Sequence, residues 1–130
     1  MIEITNEYGQ KRTPLVYLAG PITNGGTATV EEIKHNAYVA FKVAQRLLDA
    51  GISSVMPQLS GLLDNHQELT WQQWMDLDYP MLRRCDAVYR IPGASKGADD
   101  EEKYCKAYHI DWFTDLEDCI YDFQQQASIE

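Results

Sequence analysis

The feature that most constrains this chain is an alternation. Short apolar runs, each closed by glycine or proline, are separated by longer stretches of helical spacing. Leu15-Val16-Tyr17-Leu18-Ala19 is the first run and ends at Gly20-Pro21. A compact apolar run bounded by turn formers reads as a buried strand. Ile52-Ser53-Ser54-Val55-Met56-Pro57 is a second, weaker strand; Asp86-Ala87-Val88-Tyr89-Arg90-Ile91 is a third, closed by Pro92-Gly93. His109 to Phe113 reads as a short fourth. Three capping boxes mark helix starts between and after them: Thr29 with Glu32, Thr70 with Gln73, and Thr114 with Glu117. In the first helix Val30, Ile33, Ala37, Ala40, Ala44, Leu47 and Leu48 recur at intervals of three and four, and Gly51 stops it. The second carries Trp71, Trp74, Met75 and Leu77, and Pro80 is expected to break or restart it. The acidic run Asp99-Asp100-Glu101-Glu102 complements the dipole of another helix start. Leu116, Ile120 and Phe123 mark the last helix, and Gln58 to Leu69 reads as a long polar loop. The resulting β-α-β-α-β-α-β-α order calls for a parallel sheet with helices on both faces.

At 130 residues the chain is the size of one domain, with residues 1–13 as an N-terminal extension. Twenty acidic side chains against 11 basic ones give a net charge of −9. That excludes gripping a nucleic-acid polymer through a basic face, because such binding rests on neutralising phosphates. A single nucleotide needs only local donors and stays open. No apolar run approaches the ~20 residues that span a bilayer, so no membrane partner is expected. The polar, acidic start Met1-Ile2-Glu3-Ile4 does not resemble a signal peptide. Cys85, Cys105 and Cys119 are odd in number and lack CxxC spacing, which fits a reducing cytoplasm without a disulfide framework.

In parallel α/β sheets ligands sit beyond the carboxyl ends of the strands. Three loops occupy that position: those after Ala19, Met56 and Ile91. The first, Gly20 to Gly26, matches neither GxGxxG nor GxxxxGK[ST]. The third, Gly93-Ala94-Ser95-Lys96-Gly97, brings backbone amides, a hydroxyl and an ammonium to a helix N-terminus, which suits an anion. Ser95 also reads as an ordinary cap and Lys96 as a surface charge. Asp78, beside Pro80, and Glu101, one turn into the next helix, both project toward this edge; two converging carboxyl groups can divide nucleophilic and acid–base work. An acidic run at a helix start is equally a solvated face. Tyr17 is either core or a hydroxyl aimed into a cleft. His35, His66 and His109 lack metal-ligand spacing, so no metal is expected. Gly93 to Gly97 fits the letters GxSxG, but nothing nominates triad partners for Ser95.

Three segments, taken together, carry a resemblance. They are Val16-Tyr17-Leu18-Ala19-Gly20-Pro21-Ile22, Asp78 eight residues before Asp86 in Cys85-Asp86-Ala87-Val88, and Ser95-x-Gly97-Ala98-x-x-Glu101. In order and spacing they resemble the nucleoside 2-deoxyribosyltransferase-like proteins over roughly residues 14 to 120. That group includes deoxyribosyltransferases and 2′-deoxynucleoside 5′-monophosphate N-hydrolases. The resemblance implies a Rossmann-like or flavodoxin-like three-layer α/β sandwich with a four- to five-stranded, mainly parallel sheet. It implies cleavage of the N-glycosidic bond of a 2′-deoxynucleoside or its 5′-monophosphate, with transfer to another base or hydrolysis. Glu101 then corresponds to the nucleophile, Asp78 to the acid at the base, and Tyr17 to the residue that orients the glutamate. Gly20, Pro21, Asn24, Ser95 and Gly97 correspond to substrate-binding positions. Glu102 and Asp76 are the neighbours that a one- or two-residue shift would substitute. The scheme demands no cofactor. The Gly20 to Gly26 loop lacks the arginine that the monophosphate hydrolases tend to place there.

Relatives of this kind complete their sites with a neighbouring subunit, which implies a homodimer or higher homo-oligomer. Two readings from other classes stand beside the enzyme. One is a nucleotide-binding or sensing protein that keeps the pocket without turnover. The other is an interaction protein using Trp71, Trp74, Trp112 and Phe113, residues that read more simply as core and subunit contacts.

Overall fold

The computed structural model describes residues 2–63 and 70–129. The expected N-terminal extension contains a small antiparallel hairpin, β1 (Ile4–Thr5) and β2 (Lys11–Arg12). Ile4 is buried in the main core, and Arg12 pairs with Asp86. Asp86 also accepts the Leu15 N–H at 2.8 Å, so this motif residue fastens the amino edge of the sheet.

The sheet itself is four-stranded and wholly parallel. Its strands are β3 (Leu15–Ala19), β4 (Ser53–Val55), β5 (Ala87–Arg90) and β6 (Asp111–Phe113), in the order β4-β3-β5-β6. Alternation along β3 sends Val16 and Leu18 to one face and Tyr17 and Ala19 to the other. On the first face lie Ala40 and Leu47 of α1 (Val30–Asp49), with Cys119, Ile120 and Phe123 of α5 (Leu116–Ile129). The opposite face is covered by Leu82 of α3 (Trp71–Arg84) and by Ala98 and Cys105 of α4 (Lys96–Ala107). This is the three-layer, Rossmann-like α/β fold. Each large apolar side chain buried here contributes roughly 1.5–3 kcal/mol. Among the described residues no helix is long and apolar enough to cross a membrane, and all three cysteines are buried and unpaired.

Several expectations are corrected. Pro80 neither breaks nor restarts its helix, because α3 runs through it. Pro80 is exposed, so the Asp76 carbonyl it leaves without a donor stands on the solvent side. The Thr70–Gln73 capping box and burial of Met75 and Leu82 hold the helix on either side. The expected loop from Gln58 begins as a helix, α2 (Gln58–Leu63), and residues 64–69 of that expectation lie outside the described residues. Tertiary contacts override its polar pattern. The Gln58 amide donates to Leu18 O at 2.9 Å, and Gly61 packs so closely on Ile22 that a Cβ would lie 2.6 Å from its methyl.

Helix α4 starts at Lys96, before the acidic run, because Ser95 caps it by accepting the Ala98 N–H at 3.1 Å. At α5 it is Asp115, not Thr114, that accepts from the first turn, at 3.0 Å from the Asp118 nitrogen. The last strand is shorter than expected, since His109 takes a left-handed φ of 57° ahead of it.

Candidate active site

Chain order along the sheet reverses between β3 and β5, and at that point the two following loops diverge to open a crevice. Their strands are close-packed there. A Cβ on Gly20 would lie 2.9 Å from that of Ile91, so only glycine fits as β3 ends. A cavity of about 520 Å³ opens above this point, the size of a small-molecule site. One wall is the loop after β3, with Ile22, Thr23 and Asn24. Asn24, Gly25 and Gly26 all have positive φ, and the Asn36 amide ties the loop down through Ile22 O at 3.0 Å. Trp71, Trp74, Met75 and Asp78 of α3 form another wall, and Ser95 to Ala98 with Glu101 of α4 close the third.

Glu101 is turned inward and is only 5% exposed; Asp78 is 9% exposed. Beneath them Tyr17 is wholly buried and donates its hydroxyl to Glu101 Oε2 at 2.7 Å. Placing the three together follows from period and register. Tyr17 points to the α3–α4 face of β3, Asp78 lies one helical turn before Leu82, and Glu101 one turn before Cys105 on the buried side of α4. Burial raises the Glu101 pKa to about 8; the Asp78 charge raises it further, while the Tyr17 hydrogen bond and the Arg90 charge oppose the rise. Burial likewise raises Asp78 to about 6, opposed by the Tyr17 hydroxyl. Tyr17 itself is held far above the usual phenol range by burial and by both carboxylates, so it is a permanent donor. Two buried carboxyls this close titrate as a pair and hold one proton between them near neutrality. The pair therefore offers one nucleophilic oxygen and one acid at the same pH.

Ser95 does two things: it caps α4, and its hydroxyl reaches Gly20 O at 3.4 Å, joining two of the loops. The first-turn amides of Lys96 and Gly97 have no intrahelical acceptor and belong to cavity-lining residues, a ready anion or hydroxyl site. A Cβ on Gly97 would meet only the Met75 methyl at 3.8 Å, so glycine leaves space here and relieves no clash. The Lys96 ammonium is engaged by Asp100 at 3.1 Å and lies 4.3 Å from the centroid of the Trp71 ring.

Tyr17, Asp78, Glu101, Gly20, Asn24, Ser95 and Gly97 thus converge on one place. Pro21 does not line it; it packs behind the wall, where a Cβ on Gly93 would come within 2.8 Å of its ring. Trp71 and Trp74 line the cavity instead of filling core, whereas Trp112 and Phe113 do pack against the two cores. Glu102 and Asp76 lie outside the lining. Arg90 was not anticipated. It shares the sheet face of Val88 by alternation, and that parity was the available signal. Among the described residues, no group of three or more His, Cys, Asp and Glu side chains is arranged to hold a metal ion.

Fold and cavity together define an α/β protein with a cavity of small-molecule size at the switch point of a parallel sheet. The chain belongs to the family described as domain of unknown function DUF4406, whose pattern matches residues 14–113. No curated protein and no solved structure matches it.

Proposed function

We propose that the protein cleaves the N-glycosidic bond of a 2′-deoxynucleoside or its 5′-monophosphate and transfers the deoxyribosyl group to a second base. The observation that carries this reading is the buried Glu101 carboxyl, hydrogen-bonded by Tyr17 at 2.7 Å and set in the wall of a nucleoside-sized cavity that also contains Asp78. The resemblance to nucleoside 2-deoxyribosyltransferase-like proteins supports the same assignment. A carboxylate oxygen of Glu101 bonds to C1′ as the C1′–N bond breaks. The electron pair leaves with the base, which takes a proton from Asp78. The resulting glycosyl ester is attacked at C1′ by a nitrogen of the incoming base, releasing the Glu101 carboxylate, and Asp78 accepts the proton. Water in place of that base makes the protein an N-hydrolase. The aromatic wall of Trp71 and Trp74 suits stacking on a nucleobase, and the α4 amides suit the sugar 5′ end.

One observation favours a second reading, binding without turnover. Burial raises the Glu101 pKa to about 8, which favours its protonated, non-nucleophilic form at neutral pH. A single assay separates the readings. Wild-type protein incubated with the four deoxynucleosides and their monophosphates should release free base, and Glu101→Ala should reduce release by more than ~10³-fold while remaining folded. A new nucleoside on adding a second base marks transfer. Tight binding with no release across the panel would leave the sensing protein.

A further inference from the structure

We propose that Arg90 is a positioning residue, whose guanidinium clamps the β5–α4 loop to the start of α4 and so sets where Glu101 and the first-turn amides face the cavity. This inference rests on the glycosidase reading for what the placement serves. The side chain leaves the last residue of β5 on the Tyr17 face and is spent almost wholly on the loop it spans. Nε donates to Ile91 O at 3.2 Å, one terminal nitrogen to Gly93 O at 2.7 Å, and the other to Asp99 Oδ1 at 2.9 Å. Asp99 lies in the opening turn of α4, two residues before Glu101. Gly93 needs the hold, because its φ of +129° places it in a conformation only glycine adopts readily. The loop between these anchors carries Ser95, which caps α4 and reaches across to Gly20 O. One guanidinium thus links strand, loop and helix, which a planar fork of five donors can do and a single ammonium cannot.

Its charge acts in the same direction as its geometry. Glu101 faces Tyr17 from β3, Asp78 and Tyr79 from α3, Arg90 from β5, and Asp100 and Cys105 on its own helix. Of these Arg90 alone is a cation, and it favours the carboxylate that nucleophilic attack requires.

The test uses the full-length chain. Carboxyl ¹³C NMR, with Glu101→Gln assigning the resonance, follows the Glu101 midpoint, while amide exchange follows residues 93–99. Arg90→Met should raise the midpoint by about one unit, speed loop exchange, and lower kcat for base release at least ~10-fold while raising KM. Arg90→Lys should keep the midpoint close to wild type yet speed loop exchange and raise KM, since it restores charge without the fork. Asp99→Asn should also speed loop exchange. If Arg90→Met leaves the midpoint, exchange and kinetics at wild-type values, the positioning role is overturned; should that variant not fold, unchanged loop exchange in both Arg90→Lys and Asp99→Asn overturns it. A wild-type protein that releases no base, with midpoint and exchange still moving as described, refutes the glycosidase reading and leaves the clamp standing.

Discussion

Tyr17 has one hydroxyl proton to offer, and two carboxyl groups lie within its influence. It gives that proton to Glu101, which opposes the rise that burial imposes there, yet Glu101 still holds its proton to higher pH than Asp78. The proposed attack and protonation require the proton of the singly protonated pair to pass from Glu101 to Asp78. Base release should follow a bell-shaped pH profile with limbs near 6 and 8, falling when the pair is doubly protonated and again when it is doubly ionised. Tyr17→Phe removes the donor that favours the Glu101 carboxylate. Its alkaline limb should shift upward and kcat at pH 7 should fall by ~10–100-fold, measured as initial rates across pH. At this scale much was legible. The resemblance carried by the three motifs pointed to Tyr17, Asp78 and Glu101, and a tyrosine near the end of a strand could aim its hydroxyl into a cleft. Pro21 was not legible as a packing residue, because its partner Gly93 is far away in the chain.

Among the elements, α4 brings the most candidate-site groups to the cavity in the fewest residues. Its cap, its first-turn amides and its buried carboxyl lie within seven positions, Ser95 to Glu101, so a change at the cap is felt at the carboxylate. Ser95→Ala should cost about 1 kcal/mol in denaturant unfolding, and it should raise KM more than it lowers kcat, because the Gly20 link and amide alignment serve binding first. Helix existence was readable from capping boxes and periodicity; helix limits were less so. Ser95 outcompeted the acidic run as the start of α4, Asp115 outcompeted Thr114 at α5, and α3 tolerated Pro80 because its lost hydrogen bond falls on the solvent side. The α2 helix had no periodic signal, since Gln58 and Gly61 are held by contacts with β3, the following loop and α1.

Across the whole molecule, the burial of two acids opposes folding once they ionise. An unfolded chain loses those protons near pH 4, whereas the native protein keeps them until about 6 at Asp78 and about 8 at Glu101. Between those limits the folded state binds more protons than the unfolded one, so this contribution makes stability fall as pH rises. Denaturant melts at pH 5.5 and 8 should show the pair's destabilising effect growing by about 2–4 kcal/mol, and Glu101→Gln should flatten most of that slope. By itself the sequence determined the class of fold, since buried apolar runs alternating with amphipathic helices leave few arrangements other than a parallel sheet covered on both faces. It also named the acids and the loops they border. Only the tertiary structure decided that Trp71 and Trp74 would wall the cavity, that Arg90 would span the loop, and that Glu101 would point inward. Those outcomes depend on strand order and on how helices from distant segments pack, and neither is encoded in local periodicity.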